Sequence, residues 1–338
     1  MVTLNTGDRV GPFVLVEKLG EGGFAEVWKA ERSDEPGQVE ALKVPNDPEY
    51  VKQLRTEDRL RKGLEHPNIV RLLGEDLDCD PPYLRMEYIA GQSLEAVLQK
   101  SGSLPVKDAL DIAEQVGKAL AYAHGQGVIH ADVKPSNVLI DPDGVARLTD
   151  FGLGVVPRDV ARSVLKSQAE LSNARSRAII GTLDYMAPEQ RAGEPIDARA
   201  DLYALGRMLY RMLTGALPTG LRLPSEANPQ VPGVLDGLIA RLLEGTALRT
   251  PSAKEFLAGV AAIRARLARP PRKPRKEVRV AITGVLLCAV VAGFVVLRGI
   301  PGLGAGGLGT IVVGSASIVF GVWALAALAR RGAERKQR

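Results

Sequence analysis

One run of side chains in this sequence has the types and spacing for chemistry on a phosphate. His130-Ala-Asp-Val-Lys-Pro-Ser-Asn-Val-Leu139 is followed shortly by Asp150-Phe-Gly152. Phosphoryl transfer asks for little covalent work. It needs a carboxylate aimed at the incoming hydroxyl, cations on the phosphates and oxygen ligands for magnesium. Asp132 can serve as the base, Lys134 and Lys43 as the cations, and Asn137 and Asp150 as the metal ligands. Any one of these is ordinary in a loop; the argument rests on the whole ordered set. Lys43 closes Ala41-Leu-Lys43, a position where a lysine usually snorkels to the surface. It also lies sixteen residues beyond a glycine-rich loop, within reach of the same phosphates. Glu57, nine residues before His66-Pro-Asn-Ile-Val70, is placed to hold its head group as an ion pair.

These groups need elements to carry them. Residues 13–19 read as a strand and 24–30 as its hairpin partner across Gly20-Glu-Gly-Gly-Phe-Ala-Glu-Val27. Gly20, Gly22 and Gly23 would let backbone amides approach phosphate oxygens that a Cβ would obstruct. Alone, the loop fits a plain glycine hairpin equally well. It lacks the Gly-Lys-Ser/Thr ending of a P-loop and precedes a strand, so Walker and Rossmann readings are disfavoured. Residues 39–44 read as a third strand and 50–65 as a helix. Helical periodicity follows at 93–100, 106–126, 197–214, 232–243 and 252–268. Strands first and helices after predict an α+β, two-lobed arrangement.

The combination resembles the eukaryotic-like, or Hanks-type, serine/threonine protein kinases, above all their bacterial members, over residues 13–267. The resemblance implies a bilobal kinase fold with a β-rich N-lobe at 13–86, a hinge at 87–91 and a helical C-lobe at 92–268. It implies ATP and Mg2+ as cofactors, with Mn2+ as an alternative, and protein substrates with Ser/Thr acceptors. Lys43 would then contact the α/β-phosphates and pair with Glu57, while Asp132 acts as catalytic base. Asn137 and Asp150 would bind the metal. Met86-Glu-Tyr-Ile-Ala-Gly-Gln-Ser-Leu94 resembles the hinge segment, with Met86 as gatekeeper and Glu87 and Tyr88 bonding adenine. Leu19, Val27, Ala41 and Leu139 would sandwich the purine. Asp150, Phe151 and Gly152 would open an activation segment at 150–189, and Gly181-Thr-Leu-Asp-Tyr-Met-Ala-Pro-Glu189 would end it, with Thr182 positioning substrate. Asp201 resembles the anchor of the catalytic loop, and Arg249 the partner of Glu189. Lys134 and Gly181-Thr182 favour Ser/Thr over Tyr acceptors.

The sequence departs from that pattern in places. Ala25 stands where a third glycine is common, and Ala131 where regulated members carry an arginine that grips a loop phosphate. The loss at 131 implies a kinase that is constitutively competent or switched by another route. The 150–189 segment is long, with Ser163, Ser167, Ser172 and Ser176 among basic residues. It reads as a solvated loop or as an autophosphorylation or docking site. The connection after Gly215 is short, which would reduce a docking surface there.

Composition supports a packed core, with 46% apolar and 25% charged residues in 338. The net charge of +5 conceals a split. Residues 269–338 hold twelve basic and two acidic groups, and the rest hold 32 and 37. The basicity therefore belongs to the tail, and the main domain offers no nucleic-acid footprint. Cys79 and Cys288 form no C-x-x-C pair, which excludes a disulfide framework or zinc site as an expectation. Residues 1–12 read as a leader without the apolar core of a signal peptide. A basic, Pro-rich linker at 269–279 precedes uncharged stretches at 280–297 and about 309–329, joined by 298–308 and closed by a basic tail at 330–338. Their length fits two transmembrane helices, or else a buried helical hairpin of a soluble core. Basic residues flank the pair on both outer ends, so the positive-inside rule puts both termini in the cytoplasm.

The expectation is a multi-pass kinase of the cell's inner (plasma) membrane, contacting membrane lipid through a C-terminal hairpin, with a homodimer for trans-autophosphorylation. The competing readings are a pseudokinase scaffold that binds partners without catalysis, and a membrane signalling module with the kinase as its output.

Overall fold

The computed structural model describes residues 3–22, 25–46, 63–151, 183–220 and 222–268. The N-lobe is a six-stranded sheet in the order β1-β2-β3-β4-β6-β5. Its strands are β1 (Arg9–Val10), β2 (Phe13–Glu21), β3 (Ala25–Arg32), β4 (Val39–Pro45), β5 (Leu72–Asp76) and β6 (Tyr83–Glu87). All its pairings are antiparallel.

β4 runs through the middle and is buried from Glu40 to Val44. Side chains alternate across a strand, so β4 feeds two different faces. Leu42 and Val44 join Val10, Phe13, Leu15, Trp28, Ala30 and Tyr83 in one cluster. Ala41 joins Val70 and Met86 in another, with Val27, Ile89 and Leu139 packed against it. A strand covered on both sides must pair any charge it carries. Glu40, 1% exposed, takes a two-point bond from Arg85 at 2.7 and 2.8 Å. Lys43, 3% exposed, pairs with Asp150. Residues 1–12, expected as a leader, contribute to this sheet: Arg9 and Val10 pair with Val14 and Phe13, and Val10 is fully buried. Two residues of backbone pairing gave no periodic signal to read.

A second sheet, β7 (Gln92–Ser93), β8 (Val138–Ile140) and β9 (Ala146–Leu148), lies beside the helices. The helices are α1 (Leu94–Ser101), α2 (Val106–Gly125), α3 (Pro188–Ala192), α4 (Arg199–Thr214), α5 (Pro224–Ala227), α6 (Asp236–Leu243) and α7 (Ala253–Leu267). Ser93 starts α1 by accepting the Ala96 N–H at 3.2 Å, and Gly102 ends it at φ +73°. The apolar face of α2 packs between α4 and α7. Gly117 makes that approach possible, since a Cβ there would lie 2.8 Å from the Phe256 ring. The long helices match the periodic segments closely. The segment expected over 232–243 begins instead with a 3-10 turn at Gly233–Leu235, consistent with the locked backbone of Pro232.

The two lobes are joined around residues 66–70. Asn68, 6% exposed, donates to the Ala146 carbonyl at 2.9 Å and to Gln115 of α2 at 3.0 Å. Leu148 N–H donates back to the Asn68 carbonyl, and Ile69 bridges Leu148. The segment leading into β5 and the β8–β9 hairpin are thereby tied together.

Among the described residues no helix is long and apolar enough to cross a membrane. The spans expected at 280–297 and 309–329, with the linker, loop and tail, lie outside the described residues, as does most of the helix expected at 50–65.

Candidate active site

The loop at 130–137 is fixed from beneath by a buried carboxylate. Asp201, in the first turn of α4 and 1% exposed, accepts the N–H groups of His130 at 2.9 Å and Ala131 at 2.7 Å. Its Oδ2 also meets His124 Nε2 at 2.8 Å. A carboxylate left unpaired at this depth would be costly, and three partners compensate it. Ala131 and Asp150 both have positive φ, +62° and +63°. Such a backbone costs a residue with a Cβ about 1–2 kcal/mol, and it persists where surrounding bonds over-determine it.

His130 is fully buried. Its Nδ1 accepts the Asp132 N–H at 3.1 Å, and its Nε2 lies 2.8 Å from the Thr149 carbonyl. A carbonyl only accepts, so Nε2 carries the proton and the ring is neutral. Burial pushes the pKa down, in agreement with the neutral ring. The ring packs on Phe151 at 4.4 Å between centroids. One imidazole thus couples the backbone of Asp132 to the residue preceding Asp150.

Asp132 Oδ2 is 2.8 Å from Lys134 Nζ and accepts Asn137 Nδ2 at 3.0 Å. The 3-10 turn Pro135–Asn137 returns the chain so that Asn137 Nδ2 also meets the Asp132 carbonyl at 2.9 Å. Thr149 N–H donates to the Asn137 carbonyl at 2.9 Å, which ties the loop to the strand end before Asp150. Across the site, Lys43 Nζ lies 2.8 Å from Asp150 Oδ1. Because the nitrogen of the Asn137 amide is turned to Asp132, its oxygen end is presented away from that carboxylate. Asn137 and Asp150 therefore offer the hard oxygen donors that Mg2+ takes, and such an ion needs only one or two protein ligands beside phosphate.

The other expected residues distribute as follows. Val27, Ala41, Met86 and Leu139 come together in one apolar cluster. Leu19 is 41% exposed and outside it. Gly20 and Gly22 close β2, with Gly22 N–H on the Ala25 carbonyl at 2.8 Å. Glu87 ends β6, its carboxylate accepting the Arg71 N–H at 2.7 Å, while Tyr88 sits under Lys29 Nζ at 4.9 Å. Glu189 and Arg249 form a buried two-point pair at 2.5 and 3.1 Å. Burial alone would push the Glu189 carboxyl up, but the Arg249 bonds hold it below the usual carboxylate range. Arg249 also lies over the Tyr203 ring at 4.9 Å. Gly23, Glu57, Gly152 and Thr182 lie outside the described residues, so the expected Lys43–Glu57 pair does too.

Sequence reasoning missed a charged junction between α1 and α4. Arg211 of α4 binds Glu95 of α1 at 2.6 and 2.8 Å and the Tyr185 hydroxyl at 2.7 Å. These bonds keep the Glu95 carboxyl below its ordinary range. Glu95 and Arg211 are 116 residues apart, and no spacing rule connects them.

Comparisons with known proteins bear on the same residues. The family model for the protein kinase domain matches residues 13–232. The serine/threonine-protein kinase PknA of Mycobacterium tuberculosis is 33% identical over 285 residues, covering 78% of this chain and 63% of that protein. A probable serine/threonine-protein kinase of Clostridium perfringens is 32% identical over 266 residues, 72% of this chain and 37% of its own. The serine/threonine-protein kinase PrkC of Bacillus subtilis is 33% identical over 218 residues, 63% of this chain and 32% of its own. The matches thus span about a third to two thirds of the length of these relatives.

Proposed function

The chain belongs to the protein kinase domain family, and on that premise we propose that it transfers the γ-phosphoryl group of ATP to Ser or Thr hydroxyls of proteins. The observation that carries the proposal is two pairs, Lys43 with Asp150 across 107 residues and Asn137 with Asp132, tied together by the Thr149 N–H on the Asn137 carbonyl. Asp132 takes the proton of the acceptor hydroxyl as its oxygen attacks the γ-phosphorus. The bond from that phosphorus to the bridging oxygen breaks, and ADP leaves. Lys134, already on Asp132, moves its charge toward the transferred group, and Lys43 orients the α/β-phosphates. Asn137 and Asp150 would hold Mg2+, or Mn2+ in its stead; bound there, the ion offsets charge on the β- and γ-phosphates. Val27, Ala41, Met86 and Leu139 form the apolar surface on which the purine lies, and Glu87 and Tyr88 supply the hinge.

The reading extends to the rest of the chain. Residues 13–268 form the kinase domain, and 269–279 link it to membrane helices at 280–297 and 309–329, with both ends cytoplasmic at the inner membrane. Supporting this are the uncharged length of both segments and the basic residues outside them. A second copy serves for trans-autophosphorylation.

Labelled ATP tests the chemistry. Wild-type protein should label itself or a Ser/Thr acceptor, and Asp132→Asn should not; equal labelling by both would remove Asp132 from the chemistry, and none by wild type would leave the pseudokinase reading standing. A reporter fused to the C-terminus should respond as cytoplasmic, and an external response would sink the hairpin.

A further inference from the structure

The backbone entering Asp132 passes through a left-handed alanine. Ala131 is buried at φ +62°, a conformation disfavoured for any residue with a Cβ. Its amide side is held by Asp201, as described above. Its carbonyl side is held from another element. Gln190 Nε2 donates to the Ala131 carbonyl at 2.9 Å, across 59 residues of sequence. Gln190 lies in α3, directly after the segment 150–189. Its Oε1 accepts the Ala187 N–H at 3.1 Å. The two partners settle the amide orientation, since an N–H only donates and a carbonyl only accepts. Ala187 has no side-chain oxygen, so the helix start has one half of a capping box and not its reciprocal.

We infer that Gln190 is a positioning residue for phosphoryl transfer: its bond to the Ala131 carbonyl sets the peptide that leads into Asp132. The inference rests on the kinase reading and deepens it. An alanine at 131 cannot hold this corner through a charge on a loop phosphate. Gln190 supplies a neutral bond instead, which needs no phosphate and depends on where residues 187–190 lie. Asp132 and the end of the activation segment are thereby linked through a single side chain.

The test uses the full-length protein with Gln190→Glu and Gln190→Met. Glutamate keeps an acceptor for Ala187 N–H but loses the donor to Ala131; methionine loses both at similar size. With casein as acceptor, both variants should lower kcat about tenfold, the scale of one buried bond lost, with KM for ATP within about twofold. Hydrogen exchange should quicken in peptides covering 128–134 and stay unchanged in α2. A Gln190→Glu protein with wild-type kcat and wild-type exchange at 128–134 would overturn the inference and reduce Gln190 to a helix cap. Exchange does not require activity. A wild-type protein that labels neither itself nor casein would defeat the kinase reading, while the exchange comparison would still decide whether Gln190 holds the loop.

Discussion

Strand β2 and the loop 130–137 both carry residues assigned to the site, and they are anchored in opposite ways. β2 is buried at Phe13 and Leu15, then exposed from Val16 through Glu21. A Cβ added at Gly20 would meet nothing within 4 Å. The loop, by contrast, is tied by Asp201 from α4, by His130 to Thr149 and by Gln190 from α3. A group that aligns a proton transfer loses rate with small displacements, and this loop is held on several sides, its bonds to Asp201 being buried and charge-assisted. The exposed strand end has few packed neighbours, and contacts of that kind open at low cost.

The sharpest way to break this comparison is at the base. Asp132→Asn should reduce phosphoryl transfer by about 10²–10⁴-fold with a melting temperature near that of wild type, read by labelled phosphate and calorimetry. Retained transfer would remove Asp132 from the chemistry.

The anchor beneath should respond in both stability and rate. Asp201→Asn leaves two backbone N–H groups and His124 without their shared carboxylate. It should cost about 3 kcal/mol in denaturant unfolding and lower activity with it. A change under about 1 kcal/mol would mean that the loop is held chiefly by its other bonds.

The Glu189–Arg249 pair gives a pH-dependent version of the same idea. The folded state holds the Glu189 carboxyl below its ordinary 4.5. Its contribution is therefore present above that pH and is lost as pH falls through the folded-state value. Glu189→Gln should destabilise the protein at pH 7 by about 2–3 kcal/mol and flatten the loss below pH 4.5, measured by unfolding across pH. An unchanged acid limb would assign that limb to other carboxylates.

The smallest effect belongs to the open wall. Gly20→Ala should shift stability by less than about 0.5 kcal/mol, because the new methyl meets open space. Its effect should appear in KM for ATP, raised a few-fold with kcat retained. A larger loss of stability than at Glu189 would reverse the contrast between the walls.

Much of the site was legible because its decisive contacts are local. Asp132, Lys134 and Asn137 lie within six residues, and the 3-10 turn Pro135–Asn137 brings them together without tertiary packing. The long helices were legible from apolar periodicity, as at α2 and α4. The short strands β1, β5, β6, β8 and β9 were not, since two to five residues carry too little pattern to separate from loop.

The sequence by itself determined the chemical inventory: two carboxylates and an amide between residues 132 and 150, a lysine ending a strand, and a glycine-rich hairpin. Tertiary structure alone decided which of the distant ones touch. Lys43 reaches Asp150 because a doubly covered strand leaves its ammonium no water to turn to. Asp201 and Gln190 grip the two sides of Ala131 because α4 and α3 pack beneath and beside the loop. Arg211 finds Glu95 for the same kind of reason. Spacing along a chain encodes only contacts within a turn or an element. Partners 59 to 116 residues apart are chosen by how the elements pack and by the cost of leaving a buried charge or carbonyl alone.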